Sequence, residues 1–171
     1  FERAETAGWW TGDNTTEDFA GSNNGTLMNG ATYAPGKVGT AFSLDGANDY
    51  VNVTNDGSLS PTNAITVEAW INADTLPAGD NPIISRWHNN GVDERSYLLL
   101  IRDGQLMFSV SNTGSNAKEV YSPTTLAAGQ WYHVAGSYDG EFVRIFVDGK
   151  MVAESAFTGS IFGGTRDLHI G

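Results

Sequence analysis

Apolar and polar residues alternate with a period of two along much of this chain. Ile65, Val67, Ala69 and Ile71 fall on one side of such a run, and Thr66, Glu68, Trp70 and Asn72 on the other. This spacing predicts a strand half-buried in a sheet, because successive side chains of a strand point to opposite faces. Ser96 to Arg102 is a denser apolar run, Ser-Tyr-Leu-Leu-Leu-Ile-Arg, as expected of a strand covered on both faces. Arg102-Asp103-Gly104-Gln105 turns out of it into Leu106 to Ser111. The device recurs where Asp139-Gly140 joins Tyr132–Tyr138 to Phe142–Val147, and where Asp148-Gly149 joins that run to Met151–Ala156. Asp-Gly between apolar-rich runs predicts a hairpin, since a type I′ turn needs positive φ at both central residues. Asn112 to Ala117 and Leu76 to Pro82 read as exposed loops from their Gly, Asn, Ser and Pro content. No amphipathic helix of three turns is present. Many short strands joined by regular turns predict an all-β fold, an antiparallel β-sandwich with jelly-roll topology.

Composition narrows the function classes. The 171 residues suffice for one domain, which at this length buries roughly 70% of the surface exposed by the unfolded chain. Cysteine is absent, so there is no disulfide framework and no thiolate metal site. The first residue is Phe1 rather than Met, as expected of a processed chain or an excised domain. No apolar run reaches the ~18 residues of a membrane-spanning helix, so membrane insertion is not expected. The net charge is −11, from 20 acidic and 9 basic residues. A nucleic-acid partner needs a basic footprint to displace counterions, which this chain lacks. Such acidity suits a soluble extracellular protein or a cation binder, or serves solubility alone.

A series of short signatures then occurs in order. Trp9-Trp10 is followed by Asp18 and by Asn23-Asn24-Gly25-Thr26-Leu27. The stretch Pro35-Gly36-Lys37-Val38-Gly39-Thr40-Ala41-Phe42-Ser43-Leu44-Asp45-Gly46 comes next. Trp131-Tyr132-His133-Val134-Ala135 leads into Val147-Asp148-Gly149. From about Gly8 to Gly171 the chain resembles the laminin-G-like, concanavalin A-like jelly-roll family of bacterial surface and secreted proteins. The resemblance implies one sandwich domain over residues 1–171, an extracellular or cell-surface location and, in many members, a structural calcium near the N-terminal strand. Members of that family usually continue past the Leu168-His169-Ile170-Gly171 strand into a closing strand beside the first strand. Here three arrangements are open: a longer protein, Phe1 to Thr6 as linker or edge strand filling the gap, or a strand donated by another chain. The last would give self-association through an unpaired sheet edge.

The candidate site residues follow. Asp13, Asn14, Glu17, Asp18, Asn23 and Asn24 cluster in a Gly-containing loop, and hard cations take oxygen ligands from such side chains. Asp13, Asp18 and Asn23 are the proposed calcium ligands. The spacing is not that of an EF-hand, and the alternative is an Asx-rich turn whose side chains cap local backbone groups. Asp45 and Asp49 are expected mainly to shape the turn around Gly46-Ala47-Asn48. Trp70 and Trp131 are expected to pack. Trp87 ends Ile83-Ile84-Ser85-Arg86-Trp87 and opens a polar stretch. An exposed aromatic there could stack on a sugar ring while polar groups bond its hydroxyls. Arg86, His88, Arg95 and Tyr97 are its proposed companions, and the alternative is a Trp folded onto the sheet edge. Catalysis is not expected. His88, His133 and His169 have no zinc-binding spacing, and no Gly-x-Ser-x-Gly elbow occurs. Glu68 is alone on its strand, and Asp93 and Glu94 would face opposite sides of one. The leading expectation is a non-catalytic extracellular module that binds a glycan or glycoprotein. The alternative is a structural or adhesive subunit joined by strand complementation.

Overall fold

The computed structural model describes residues 6–55, 57–88 and 94–171, so Phe1 to Thr6 as an edge strand lies almost entirely outside the described residues, and Thr6 itself is in no strand. Among the described residues there is no helix and there are thirteen strands. In chain order they begin with β1 (Gly25–Met28), β2 (Thr32–Pro35), β3 (Thr40–Ser43), β4 (Tyr50–Val53) and β5 (Ile65–Asn72). Then come β6 (Asp80–Arg86), β7 (Tyr97–Arg102), β8 (Gln105–Ser111) and β9 (Ala117–Thr125). The last four are β10 (Trp131–Tyr138), β11 (Phe142–Val147), β12 (Lys150–Ala156) and β13 (Leu168–Ile170).

Every pairing is antiparallel. One sheet has the order β1-β4-β13-β6-β7-β8-β9, a second has β12-β11-β10-β5, and β2-β3 is a separate hairpin. The two larger sheets share a core in which Tyr97, Leu99 and Phe108 of the first meet Val67, Val134 and Ile145 of the second. Each such side chain contributes roughly 1.5–3 kcal/mol by leaving water. The sheets approach closely at Gly136, where a Cβ would sit 2.2 Å from Cγ of Phe108. The alternation over Ile65–Asn72 is as the pattern predicts, with Val67 buried and Thr66, Glu68 and Trp70 outward. The expectation that Trp70 packs is therefore corrected: it is 50% exposed on the outer face of β5. The dense run of β7 is buried on both sides. Tyr97 and Leu99 enter the core, while Leu98, Leu100 and Met107 form a smaller cluster on the outer face beneath Trp87 and Tyr121.

Two of the three Asp-Gly turns have the expected geometry. Asp103-Gly104 and Asp148-Gly149 carry positive φ at both residues, 51° and 81° in the first and 49° and 75° in the second. The third differs, since only Gly140 is at positive φ. There Asp139 Oδ1 accepts the N–H groups of Glu141 and Phe142 at 3.0 and 2.8 Å, an Asx turn that lengthens the connection. The expected loop over Leu76–Pro82 is also shorter than predicted, because β6 already starts at Asp80. Its proline is accommodated by a register shift between Pro82 and Ile84, the kind of bulge that tolerates a missing donor. Asp45 and Asp49 shape their turn. Asp45 Oδ1 accepts Ala47 N–H at 2.8 Å, and Asp49 accepts Gly30 N–H at 2.7 Å.

The strongest polar anchor of the sandwich is Arg86, which is 1% exposed. Its guanidinium donates to the carbonyls of Arg166 (2.9 Å), Leu59 (3.2 Å) and Gly164 (2.6 Å) and to Oδ1 of Asn55 (2.9 Å). Hydrogen bonds to a charged group are each worth about 1.5–3 kcal/mol, and truncation would strand several acceptors. Arg86→Ala is expected to cost about 3 kcal/mol or more in urea unfolding, and Arg86→Lys to recover only part of it, because an ammonium cannot reproduce the planar fork. Equal stability of the three proteins would contradict this role.

Candidate functional site

Side chains at the end of β6 alternate between core and surface. Ile84 and Arg86 point inward, and Ser85 and Trp87 outward onto the face of the seven-stranded sheet turned away from the core. Trp87 rests on the outer cluster of Leu98, Leu100 and Met107, and the guanidinium of Arg95 lies 5.6 Å from its ring centroid. Two clefts flank it. One, of about 470 Å³, is bounded by Asp80, Arg95, Leu98, Leu100, Arg102 and Glu119. The other, of about 430 Å³, is bounded by Glu94, Thr165, Arg166, Asp167 and His169. Ser85, Trp87 and His88 line both.

Of the five proposed ligand contacts, the structure brings Trp87, His88 and Arg95 together. It removes Arg86 and Tyr97. Arg86, the last residue of β6, is buried in the core, while Trp87, just past the strand end, lies against the outer cluster. Tyr97 is 2% exposed, and its hydroxyl donates to the Leu59 carbonyl at 3.0 Å. Burial pushes that hydroxyl up to about 12, against the pull of nearby Arg86. Arg95 precedes β7, where alternation no longer dictates direction.

Several site residues escaped the sequence reading. Arg102 is clamped by both oxygens of Asp80, with Nη2 to Oδ2 at 2.9 Å, and reaches Glu119 Oε2 at 3.3 Å. Its Nη1 also donates to Tyr121 Oη at 2.6 Å, and that hydroxyl donates to Glu119 Oε2 at 2.7 Å. The Arg102 hydrogen bonds hold the Asp80 carboxyl below its usual range despite partial burial. Alternation from Leu98 and Leu100 could have placed Arg102 on this face; Glu119 required the β8–β9 register. In the second cleft Glu94 pairs with Arg166 and accepts Thr165 Oγ1–H at 3.1 Å. Asp167 is held below the usual carboxyl range chiefly by the Asn55 N–H at 3.0 Å, then by Asn52 Nδ2 at 3.0 Å. Burial lowers His169, with Asp167 opposing and His88 reinforcing the shift.

The proposed calcium loop is held by converging hydrogen bonds. Asp18 Oδ1 accepts the N–H groups of Trp9 at 2.8 Å and Ala20 at 2.9 Å. Its Oδ2 accepts Asn23 N–H at 3.1 Å and Asn23 Nδ2 at 3.2 Å. Burial works against the charge of Asp18, yet these donors leave its carboxyl below the usual range. Asp13 instead accepts Thr40 N–H at 2.8 Å. Donor hydrogens thus reach both oxygens of Asp18, whereas Asp13 accepts through Oδ1, and the loop is held by Asx-type hydrogen bonds. Among the described residues no group of three or more His, Cys, Asp or Glu side chains could hold a metal.

Comparison with known proteins gives a family match over residues 45–171, to the Concanavalin A-like lectin/glucanases superfamily. The N,N-dimethylformamidase beta subunit of an Alcaligenes species is 32% identical over 117 residues, covering 67% of this chain and 15% of that protein. This chain therefore spans only about a seventh of that relative. Among solved structures, domain 4 of an extracellular arabinanase of Geobacillus stearothermophilus, in complex with arabinotriose, is similar with a TM-score of 0.76 and 22% identity. That match covers 97% of this chain and 82% of the other. The ligand-binding domain of botulinum neurotoxin serotype D, in complex with N-acetylneuraminic acid, gives 0.68 and 14%, over 94% of this chain and 43% of that one.

The depressed groups at the site make stability depend on acid. A group whose folded pKa lies below its unfolded value contributes stability that is lost as pH falls. For His169 the loss begins as pH drops through its ordinary 6.5. For Asp18 and Asp167 it follows below the ordinary 3.8. The thermal midpoint should therefore fall in two stages on acidification, and His169→Asn should remove the upper stage. An acid profile unchanged by that substitution would contradict the assignment.

Proposed function

The chain belongs to the concanavalin A-like lectin/glucanase superfamily, and on that premise we propose that its outer-face clefts bind carbohydrate without catalysis. The observation that carries this reading is the position of Trp87, an aromatic ring set between two clefts whose other walls are largely polar. Carbohydrate offers such a site both of its surfaces. Its C–H faces pack on an aromatic plane, and its hydroxyls donate and accept at carboxylate and guanidinium edges. The sugar complexes of the arabinanase domain and the toxin domain, which share this fold, support the same use of it here. The extracellular arabinanase likewise supports an extracellular setting.

The carboxylates of the first cleft argue against glycoside hydrolysis. A glycosidase needs one carboxylic acid held protonated beside a second, ionised carboxylate. Asp80 is pushed the other way by Arg102, which ionises it. Glu119 is tied to the same guanidinium and to Tyr121. Trp87→Ala should weaken glycan binding about tenfold or more, as expected for loss of a central aromatic anchor. Trp70→Ala, on the opposite sheet, should leave it unchanged. Calorimetric titration of both variants checks this, and equal binding by Trp87→Ala would overturn the site.

Self-association has one supporting observation. Among the described residues β5 pairs only with β10, leaving one side of an eight-residue strand as a sheet end. If such edges join copies of this chain, the mass measured by light scattering should rise with concentration; a constant monomer mass removes that reading.

A further inference from the structure

Carrying the carbohydrate reading further, we propose that the two clefts form one extended site for an uncharged oligosaccharide, laid across Trp87 with sugar rings on both sides. This inference rests on that reading and goes beyond it in ligand class and length. The first argument is continuity. Ser85, Trp87 and His88 are a shared wall, not a partition between unrelated sites. At about 470 and 430 Å³, each cleft is in the ~300–1,000 Å³ range of small-ligand pockets. A single ring stacked on Trp87 would leave one of them to water. A chain crossing the indole fills both and gains contacts at each step.

The second argument is charge. Acidic sugars are recognised by guanidinium forks that grip a carboxylate through two parallel bonds. Here the guanidiniums that line the clefts already have partners. Arg102 is gripped by Asp80 and Glu119, Arg166 by Glu94, and Arg95 donates to the Ser115 carbonyl at 3.3 Å and lies against Trp87. The first cleft sets Asp80 and Glu119 against Arg95 and Arg102, a balance of zero. The second sets Glu94 and Asp167 against Arg166, a balance of −1 with its histidines neutral. A sugar carboxylate would have to displace an existing ion pair and enter the field of a chain carrying −11. Hydroxyl groups need neither. Paired carboxylates keep spare lone pairs, and a hydroxyl can accept and donate at once.

The test combines a glycan array with titration. The array carries neutral and sialylated oligosaccharides, arabinotriose and sialyllactose among them. Neutral glycans should bind. Affinity for the best series should rise about tenfold or more from mono- to trisaccharide. Thr165→Trp, which fills the second cleft from an exposed position and leaves the supports of Trp87 intact, should abolish that gain while monosaccharide binding persists. Sialylated hits that Trp87→Ala or Thr165→Trp weakens would overturn the inference but leave carbohydrate binding at this site standing. So would a monosaccharide that binds as tightly as its trisaccharide. An array without hits, or with hits that neither variant touches, would overturn the carbohydrate reading itself and this inference with it.

Discussion

A buried guanidinium must be surrounded by acceptors, and Arg86 meets this demand by drawing on separate parts of the chain. Leu59 and Asn55 belong to the connection after β4, and Gly164 and Arg166 to the approach to β13. None of these segments is a strand, so without Arg86 their carbonyls would have no common partner in the interior. The Leu59 carbonyl accepts from Tyr97 as well, using both lone pairs of one oxygen. One residue thus ties two irregular connections to β6 and, through Tyr97, to β7. The site inherits this order. Arg86 fixes the end of β6 in the core, and Trp87 follows from that end onto the outer face. Fixing the backbone at Gly164 and Arg166 also sets where Thr165, Arg166 and Asp167 stand as the far wall of the second cleft.

The first cleft is organised by a second arginine under the opposite conditions. Arg102 lies near the surface, where an isolated ion pair contributes little because water screens it. Its worth is geometric. A planar fork gripped by Asp80, with Glu119 and Tyr121 on its other side, holds four side chains of β6, β7 and β9 in one arrangement. The floor beneath is apolar, made of Leu98, Leu100 and Met107, so the cleft pairs a dry base with a charged but balanced rim.

Much of the fold was legible because it rests on local rules. Period-two alternation over Ile65–Asn72 gave the direction of every side chain there, and two Asp-Gly pairs gave hairpins of the expected φ. The site was legible only in part. Arg86 and Trp87 are adjacent and both suit a sugar by residue type, yet one ends β6 inside the core and the other lies on the outer cluster. The same alternation, applied to Trp70, contradicts its expected packing. Glu119 and Asp167 could not be found locally at all, since they reach the site through β8–β9 and β13–β4 pairing. The Asp13–Asn24 loop is open to two readings for a chemical reason. Carboxylate oxygens that suit a cation also suit converging N–H groups, and residue types alone do not say which will arrive. In the folded chain the donors come from Trp9, Ala20 and Asn23, so Asp18 closes the loop on itself.

Trp70 and Trp87 both reach the surface, and their surroundings separate their uses. Trp70 on β5 has Lys37 Nζ 5.0 Å from its ring centroid and the His133 ring in a T-shaped contact, with centroids 5.3 Å apart. The ammonium is drawn to the ring's electron-rich face, where it competes with a stacking ligand. Neither of the two clefts beside Trp87 is lined by a residue of the sheet that holds β5. Trp87 is less exposed yet better placed. Its base is fixed on a packed apolar cluster, which lowers the ordering cost of binding, and hydrogen-bonding groups stand within the clefts on both sides. Between these two, exposure alone would select Trp70, whereas support from below and polar groups at the flanks select Trp87.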